Sequence, residues 1–423
     1  MKKGVKSSQK RQPDVVSLSP FKKGFFFIFS SIPKEVFAVS FFGLFLGMST
    51  TMVYSQMGMF LKTELHITEA AVALVDGIIE FVSFICRILV GVISDYLKDR
   101  KFILLFGCTV TLFARSILAT ATSSFMVTFI QSIERLGNGF QATTRDALIA
   151  DISHVNDRGK AYGFSRSLKT VGCLLGVPIA ILIMHLSHNN YRIVFSCATI
   201  PAAIAIICLL KIKTPNIVNN KENRKIENPF QRKYLNSLDE GFWKILLLSF
   251  TFEMGHFTES LLPIYASNFL SKTTSGSESM FVSLGQILFS FPVGLYADKF
   301  GKIALIRVCM IAMIFANLSF IFIHSTFGIY LGAFIWGGQM SAIQGLFLSI
   351  ITEKVNTHVK ATAIGIYYFT VGVAFLLASI IAGHIWTAFG GKYAFIYSLC
   401  VSCFSLSVSK LLLPSAYKNI KCS

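Results

Sequence analysis

Long apolar stretches recur along the whole chain, and each approaches the length that crosses a lipid bilayer. About 20 predominantly apolar residues in a helix span the hydrocarbon core, and within that core only helices and closed barrels satisfy the backbone. Twelve stretches have approximate bounds 36–61, 69–95, 102–121, 124–150, 160–186, 191–211, 242–270, 278–298, 303–324, 327–352, 360–387 and 392–413. The chain is therefore predicted to be an all-α integral membrane protein with twelve transmembrane helices.

Charged residues are scarce, and the basic ones are concentrated in a few segments. Charged residues make up 14% of the 423 residues, against about 25% in soluble domains. The net charge is +18, with eight Lys and Arg in 1–35 and eight more in 211–244. Cytoplasmic segments of membrane proteins collect Lys and Arg in this way and contact anionic lipid headgroups. We therefore expect the inner (plasma) membrane, both termini cytoplasmic, and no nucleic-acid partner.

A polar, Asn-rich segment separates the first six apolar stretches from the last six. Polar segments of this composition connect structural units, and two halves that meet at a central cavity are typical of secondary transporters. The predicted organisation is a basic cytoplasmic tail 1–35, an N-terminal six-helix half 36–211, a cytoplasmic linker 212–241, a C-terminal six-helix half 242–413 and a cytoplasmic tail 414–423.

A charged motif follows the second apolar stretch of each half. GLYADKFGK begins at residue 294, and the related GVISDYLKDRK begins at residue 91. The pattern G-x-x-x-D-(R/K)-x-G-(R/K)-(R/K) resembles the signature loop of the major facilitator superfamily, closely in the later copy and partly in the earlier one. The matching residues are Gly91, Asp95, Arg100, Gly294, Asp298, Lys299, Gly301 and Lys302.

This resemblance covers almost the whole chain and implies a permease built of two pseudo-symmetric halves. In that family the loop is a cytoplasmic gate that latches the halves while the cavity faces outward. The residue types suit this role, because small residues let helices approach closely and a carboxylate at a helix end pairs with an Arg or a helix N-terminus. Arg145–Asp151 and Arg158–Phe164 resemble a bacterial branch of uncharacterised or drug-efflux-like permeases.

Ionisable residues in the second apolar stretch are candidates for the transport pathway, since charge at bilayer depth is costly and usually faces a cavity or a partner. Glu80 and Arg87 lie seven residues apart, which is about 20° around a helix. Asp76 and Glu80 form an i,i+4 like-charge pair that favours protonation of one carboxylate. Asp76 is either solvated near the outer surface or part of this face. Glu80 lies deeper and is a candidate for proton coupling.

The fourth apolar stretch contains ERLGNGF, which resembles the family element R-x-x-Q-G-x-G with Asn138 in place of Gln. The resemblance implies that Arg135 points into the cavity and influences a proton-carrying acid. Glu134 points about 100° away on a helix and need not be the partner of Arg135. Arg145 and Asp146 are expected at the cytoplasmic boundary, as an interfacial ion pair in preference to substrate ligands.

A third set of candidates lies in the seventh apolar stretch. Glu253, His256 and Glu259 recur at three-residue intervals, which places neighbours near one helix face. A His between two acids can carry a proton near neutral pH, and structural hydrogen bonding is the alternative. The spacing does not match HExxH, and no second His/Cys group accompanies it, so we expect no metal.

Glycines in the fifth apolar stretch support two interpretations. Gly163, Gly172 and Gly176 resemble the first part of the antiporter motif G-x8-G-x3-G-P-x-x-G-G, although Pro178 is one position late and the final Gly pair is absent. The resemblance favours export slightly. Close helix packing explains the same glycines equally well.

Motifs of several other protein classes are missing from the sequence. We find no G-x-x-x-x-G-K-[ST] for ATP-driven pumping, no G-x-S-x-G or HExxH for a hydrolase, and no segment resembling a channel filter. The nine cysteines lie mostly in apolar stretches, where packing is favoured over redox chemistry. We therefore expect neither an enzyme nor a bound cofactor.

The favoured function is export of a small organic molecule by H⁺ antiport, carried out by a monomeric chain. Uptake of a metabolite by H⁺ symport or facilitated diffusion is the alternative. A transporter-derived sensor or assembly partner is disfavoured, because the tails and the linker are short. The charge of the substrate stays open, since Arg87, Arg115 and Arg135 would favour an anion, whereas the acids of the second and seventh stretches would favour a cation.

Overall fold

The computed structural model of the chain describes residues 34–96, 100–152, 158–211, 238–355 and 360–412. These ranges contain helices and no strand, as predicted. The helices are α1 Lys34–Thr63, α2 Glu69–Tyr96, α3 Arg100–Leu118, α4 Ser124–Ile152, α5 Arg158–Leu186, α6 Tyr191–Leu210, α7 Glu240–Glu253, α8 Leu261–Ala266, a 3₁₀ turn Ser275–Ser277, α9 Glu278–Phe300, α10 Lys302–Phe322, α11 Thr326–Lys354, α12 Lys360–Phe389 and α13 Gly391–Leu412. Both predicted tails and most of the predicted linker lie outside the described residues.

Within the described residues, eight helices are long and apolar enough to cross a membrane. These are α1, α3, α5, α6, α10, α11, α12 and α13. The remaining long helices are α2, α4 and α9, and the first two of these contain the ionisable residues singled out in the sequence. The all-helical membrane fold is therefore confirmed, while the count of twelve spanning segments stays a prediction.

The seventh predicted span is not one continuous helix, which corrects the expectation of an unbroken helix over 242–270. Helix α7 ends at Glu253, residues 254–260 are non-helical, and α8 begins at Leu261. Gly255, Thr258 and Ser260 favour the break, because Gly is a weak helix former and hydroxyl side chains compete for backbone groups. The segment 254–260 is called the break below.

The break is enclosed by protein, which makes non-helical backbone tolerable at membrane depth. Helix α13 supplies donors to the first two carbonyl groups of the break. The Tyr397 hydroxyl donates to the Met254 carbonyl at 2.8 Å, and the Ser398 hydroxyl donates to the Gly255 carbonyl at 2.6 Å. These hydrogen bonds fix the conformation of the break, and its side chains contact neighbouring helices.

Helices α1 and α5 pack backbone to backbone along a glycine seam. A Cβ atom added at Gly172 would overlap the backbone carbonyl of Leu44, and one at Gly176 would overlap that of Met48. From the other side, a Cβ at Gly47 would lie 2.6 Å from the Lys169 carbonyl oxygen. Close packing against α1 thus accounts for Gly172 and Gly176. Helix α5 continues through Pro178.

The two ends of the bundle differ in their connections. The short-loop end carries the loops 64–68, 119–123, 187–190, 267–277 and 323–325 together with Gly390, and the charged-loop end carries the opposite helix termini. At the short-loop end, the first group of helices (α1–α6 with their loops) contacts the second group (α7–α13 with their loops) directly. The Thr387 hydroxyl accepts from the Ala70 amide at 3.0 Å, and the Thr273 hydroxyl donates to Asn189 Oδ1 at 2.7 Å. These contacts close the short-loop end across the two groups of helices.

Candidate transport site

Glu80 and Arg135 form an ion pair between α2 and α4. Arg135 Nη2 lies 2.7 Å from Glu80 Oε1, and the two side chains are 16% and 18% exposed, respectively. The Arg135 guanidinium also lies over the ring of Tyr54 on α1, 5.7 Å from its centroid. The sequence singled out both charged residues, and the structure brings them together. The pair is embedded in the bundle yet in contact with open space.

A second embedded ion pair, between Arg115 and Glu134, is closed off from solvent. Two nitrogens of Arg115 lie 2.7 and 3.0 Å from Glu134 Oε1, with the side chains 0% and 5% exposed. Arg115 also donates to Thr50 Oγ1 at 2.7 Å and to the Ser49 hydroxyl. Glu134 is thus the partner of Arg115, not of its neighbour Arg135. Arg115 is enclosed by α1, α3 and α4 and joins them.

We expect Glu134→Gln to destabilise the fold strongly. Removal of one partner from a buried ion pair leaves the other charge uncompensated, which costs about 3–5 kcal/mol. Thermal unfolding of the purified protein in detergent measures the effect as a lower midpoint. Glu240→Gln is the matched control, because Glu240 pairs with Lys244 at 2.7 Å on an exposed surface, and its midpoint should not change. Equal midpoints for both variants would contradict a structural role for the Arg115–Glu134 pair.

Asp76 is buried at 2% exposure, so the interpretation of a solvated carboxylate near the outer surface is wrong. Its Oδ2 atom accepts from the Ser260 hydroxyl at 3.0 Å and from the Thr258 hydroxyl. Both donors belong to the break, so one carboxylate oxygen links α2 to the second group of helices, α7–α13. The sequence indicated neither donor.

Besides Glu134, three carboxylates share the electrostatic environment of Arg135. Asp76, Glu80 and Glu259 interact with it and with one another. Glu259 Oε1 is a buried atom that has no hydrogen-bond partner among the described residues. The site therefore combines acids from α2 and from the break with a single guanidinium from α4.

Glu253 and His256 belong to a separate buried cluster. His256 Nδ1 lies 3.5 Å from Glu253 Oε2, and His256 Nε2 lies 2.6 Å from Gln339 Nε2 on α11. The His256 ring also packs edge-on against Trp336 at 5.6 Å. Helix α7 ends at Glu253, so His256 and Glu259 do not share a helix face with it. The expectation of one common face is therefore wrong for these two residues. The structure divides the predicted trio between two clusters.

Arg87 stands apart from the acids of its own helix. Its guanidinium lies 5.0 Å from the centroid of the Phe84 ring and 5.6 Å from that of Tyr368 on α12. Such cation–π contacts place a charged head against aromatic surface without an acidic partner. The Arg87 side chain is exposed and lies beside Tyr368 of α12.

The charged motif is only partly visible. Gly301 has φ = +86° and joins α9 to α10, a backbone conformation that favours glycine. Lys302 Nζ donates to Ser349 Oγ at 2.6 Å and pairs with Glu353 on α11. In the first copy, Lys101 Nζ donates to the Leu210 carbonyl at 3.1 Å. For the other motif positions, Gly91, Asp95, Arg100, Gly294, Asp298 and Lys299, the structure describes only the helical backbone.

Uncharged polar residues are the part of the site that sequence reasoning missed. Tyr54, Thr258, Ser260 and Gln339 each contact one of the embedded ionisable residues. Their one sequence signal is that they are polar residues within apolar stretches. Among the described residues, no group of three or more His, Cys, Asp or Glu is arranged to hold a metal ion.

Known proteins resemble this chain over most of its length. It is 25% identical over 363 residues to an uncharacterised MFS-type transporter of Methanocaldococcus jannaschii, which covers 84% of this chain and 89% of that protein. The fold matches the nucleoside transporter NupG with a TM-score of 0.71 at 13% identity, over 90% of this chain and 98% of that one. It matches a D-xylose-proton symporter with a TM-score of 0.68 at 16% identity, over 90% and 97%.

The helical architecture, the embedded charges and these similarities define a multi-pass membrane transporter. The family model of the Major Facilitator Superfamily matches residues 39–372 and 260–422. The chain belongs to the Major Facilitator Superfamily, as its repeated charged motif predicted.

Proposed function

We propose that the protein is a secondary active transporter that moves a small organic solute across the plasma membrane in exchange for protons. Alternating access would rock an N-terminal half 36–211 against a C-terminal half 242–413 around a midplane site. The observation that carries the proposal is the Glu80–Arg135 ion pair, embedded between helices yet 16–18% exposed. An ionisable pair at bilayer depth in contact with open space is typical of a proton or substrate pathway.

The chemistry of coupling follows from competition for one carboxylate. With Glu80 ionised, Arg135 is neutralised by a charge-assisted hydrogen bond. A proton on Glu80 removes the charge that holds Arg135 and frees the guanidinium for another partner. A proton and a cationic group of the solute would compete for the Glu80 carboxylate, and competition of this kind is what exchange requires.

Several further acidic and basic groups have supporting roles in this proposal. Glu259 and Asp76 are further carboxyl groups in the surroundings of Arg135, and Arg87 lies on the same helix as Glu80. The buried Glu253–His256 pair is proposed as a hydrogen-bonding support of the break. The repeated motif at the charged-loop end, represented by Lys302 and its partner Glu353, is proposed as the gate of that end.

Export by H⁺ antiport is the preferred direction, supported by the resemblance of the fifth-span glycines to the antiporter motif. Uptake by H⁺ symport or facilitated diffusion is the second candidate. It is favoured by the fold shared with a protein named a D-xylose-proton symporter. The basic tail and linker support a cytoplasmic location of both termini and contact with anionic lipid headgroups. We propose a monomer as the working unit.

Proton flux in proteoliposomes tests the proposal. Purified protein is reconstituted with a pH-sensitive dye inside, and a panel of amphiphilic cations, organic acids, nucleosides and sugars is added outside under an imposed pH gradient. Substrate-triggered proton movement supports coupling, and its direction relative to the solute separates antiport from symport. A solute that crosses at the same rate with and without the pH gradient would reduce the proposal to facilitated diffusion.

A further inference from the structure

Residues 55–58 of α1 lie between the break and the 3₁₀ turn that precedes α9. A Cβ atom added at Gly58 would overlap the Ser260 carbonyl of the break, and one added at Gly276 of the 3₁₀ turn would overlap the Ser55 carbonyl. Ser55 and Gly58 are three positions apart, which is about one turn of helix. This part of α1 therefore contacts the second group of helices at two points near the short-loop end.

Buried polar atoms without hydrogen-bond partners among the described residues collect beside this part of α1. Gln56 is 0% exposed, and neither atom of its amide has a partner. Its Nε2 atom lies 2.7 Å from the position that a Gly276 Cβ would take, so the amide reaches the 3₁₀ turn that leads into α9. The Ser55 hydroxyl is also buried and unpartnered. Buried polar groups almost always have a partner, which for such exceptions is commonly a water or an ion.

Two carboxyl groups of the second group of helices belong to the same region. Glu278 is 1% exposed, and its Oε1 atom accepts from the Ser279 hydroxyl at 2.9 Å, whereas its Oε2 atom has no partner among the described residues. Glu259 of the break interacts electrostatically with Glu278, and its Oε1 atom is likewise buried and unpartnered. The two carboxyl groups therefore share one site at the seam between the two groups of helices.

The charged groups around this site offer it no free cation among the described residues. Arg135, Asp76 and Glu80 interact with Glu259, and of these only Arg135 is a cation. Arg135 is already paired with Glu80 at 2.7 Å. The Asp76 carboxyl accepts from two hydroxyls of the break. The pair of Glu259 and Glu278 is thus left without a compensating charge.

Two tyrosines are the other titratable groups recorded beside the site. Tyr54 of α1 interacts with Glu259, and the Tyr330 hydroxyl of α11 shares a hydrogen bond of 2.8 Å with the Ser277 hydroxyl. A neutral phenol supplies no positive charge. The unpartnered oxygens of the site are Ser55 Oγ, Gln56 Oε1, Glu259 Oε1 and Glu278 Oε2.

We propose that Na⁺ binds between the Glu259 and Glu278 carboxyl groups. The Gln56 amide and the Ser55 hydroxyl supply neutral oxygens from α1. Carboxyl, amide and hydroxyl oxygens are the ligands of hard cations, and broken membrane helices are a common place for Na⁺ to bind. Ca²⁺ takes about six to eight oxygens, so this smaller set suits a monovalent ion better. The proposal goes beyond the exchange of solute for protons and does not depend on it.

Sodium and protons compete at this site. Two bare carboxylates that face each other in a buried site would be very costly, so the site without Na⁺ holds a proton on at least one of them. An arriving Na⁺ takes over as the compensating charge and releases that proton. By linkage, acid weakens the binding of Na⁺.

Bound Na⁺ also connects the two groups of helices. Its carboxyl ligands come from the break and α9, and its neutral ligands come from α1. The full set of ligands exists only while the two groups are in contact at the short-loop end. A ligand stabilises the arrangement that it binds better, so Na⁺ favours closure of this end.

The experiment measures thermal unfolding of the purified full chain in detergent, with NaCl, KCl or choline chloride at equal concentration. We expect NaCl to raise the melting midpoint above the choline value at alkaline pH, because a ligand of the folded state stabilises it. The apparent dissociation constant of Na⁺, from a titration of the midpoint, should rise about tenfold per unit of acidification where each ion displaces one proton. In a weakly buffered sample with a pH dye, addition of NaCl should release protons and choline chloride should not.

Three variants assign the response to the site. Glu278→Gln should weaken the response to Na⁺ about tenfold or more, since it removes one carboxylate ligand. Gln56→Met should weaken it as well, yet should fold, because the Gln56 amide has no partner to lose among the described residues. Glu240→Gln is the control on an exposed surface, where Glu240 pairs with Lys244, and it should respond as the parent does.

The proposal is overturned by equal midpoints in NaCl and choline chloride, or by a response to Na⁺ that both Glu278→Gln and Gln56→Met retain in full. A midpoint that rises with methylammonium chloride and not with NaCl would also overturn it, and would assign the carboxyl groups to an ammonium group. The assay uses neither a solute nor a pH gradient across a membrane. Its failure would therefore leave the Glu80–Arg135 exchange intact, and a facilitator without proton coupling could still bind Na⁺.

Discussion

Glu80→Gln is expected to abolish substrate-driven proton movement while leaving the protein folded and able to exchange substrate for substrate. The amide cannot take up the coupling proton, and it offers Arg135 only a neutral carbonyl in place of a carboxylate 2.7 Å away. A neutral partner stabilises the guanidinium less than a charge-assisted bond does. Coupled proton flux in proteoliposomes should therefore fall to the level of empty liposomes.

Substrate exchange is the internal control, since exchange between two substrate pools requires the alternating motion but no net proton transfer. It should stay within a few-fold of the parent for Glu80→Gln.

Arg135→Gln should lose coupling as well, because Glu80 would then have no guanidinium to compete with the proton. Full proton coupling in Glu80→Gln would show that another acid carries the proton, and Glu259 would be the first to examine.

Gly172→Val is expected to prevent formation of the folded protein. Its Cβ would overlap the Leu44 backbone carbonyl, and backbone cannot rotate away as a flexible side chain can. Helices α1 and α5 would have to separate along their length, which loses close packing on both. Expression as a fluorescent fusion followed by size-exclusion chromatography measures the outcome, and we expect loss of the monodisperse peak.

Gly345→Ala is the matched control within the same fold. Gly345 lies on α11, and apart from its chain neighbours and its own helix backbone no described atom lies within 4 Å of the position that a Cβ would take. Alanine in a helix interior is about 1 kcal/mol more favourable than glycine, so thermal stability should stay equal or rise. A folded Gly172→Val protein with an unchanged melting midpoint would show that α1 and α5 do not need this seam.

The long helices were accessible from the sequence because hydrophobic length is a local property. Lys302–Phe322 and Gly391–Leu412 lie within a few residues of the apolar stretches that predicted them. The break was not accessible in this way. Large apolar residues dominate the hydropathy of 242–270 and mask Gly255, Thr258 and Ser260. The donors that stabilise the broken end, Tyr397 and Ser398, come from α13.

The candidate site was predictable as a set of residues but not as a set of partners. Glu80 and Arg135 were singled out because charge at bilayer depth is costly. Their pairing joins α2 to α4, and the Arg115–Glu134 pair joins α3 to α4. Asp76 was open to a solvated interpretation because its partners lie 182 and 184 residues away. Periodicity on one helix does not indicate which distant segment faces it.

The most direct test of proton-coupled transport is solute accumulation in proteoliposomes that start with equal substrate concentration on both sides. A pH gradient alone is imposed, and the substrate is one that the solute panel has identified in the proton-flux assay. If Glu80 and Arg135 couple the two fluxes, substrate should become concentrated on one side, and a protonophore should abolish the difference. Glu80→Gln should show no accumulation. Equal concentrations throughout, in a parent protein that still exchanges substrate, would contradict proton coupling and leave a facilitator.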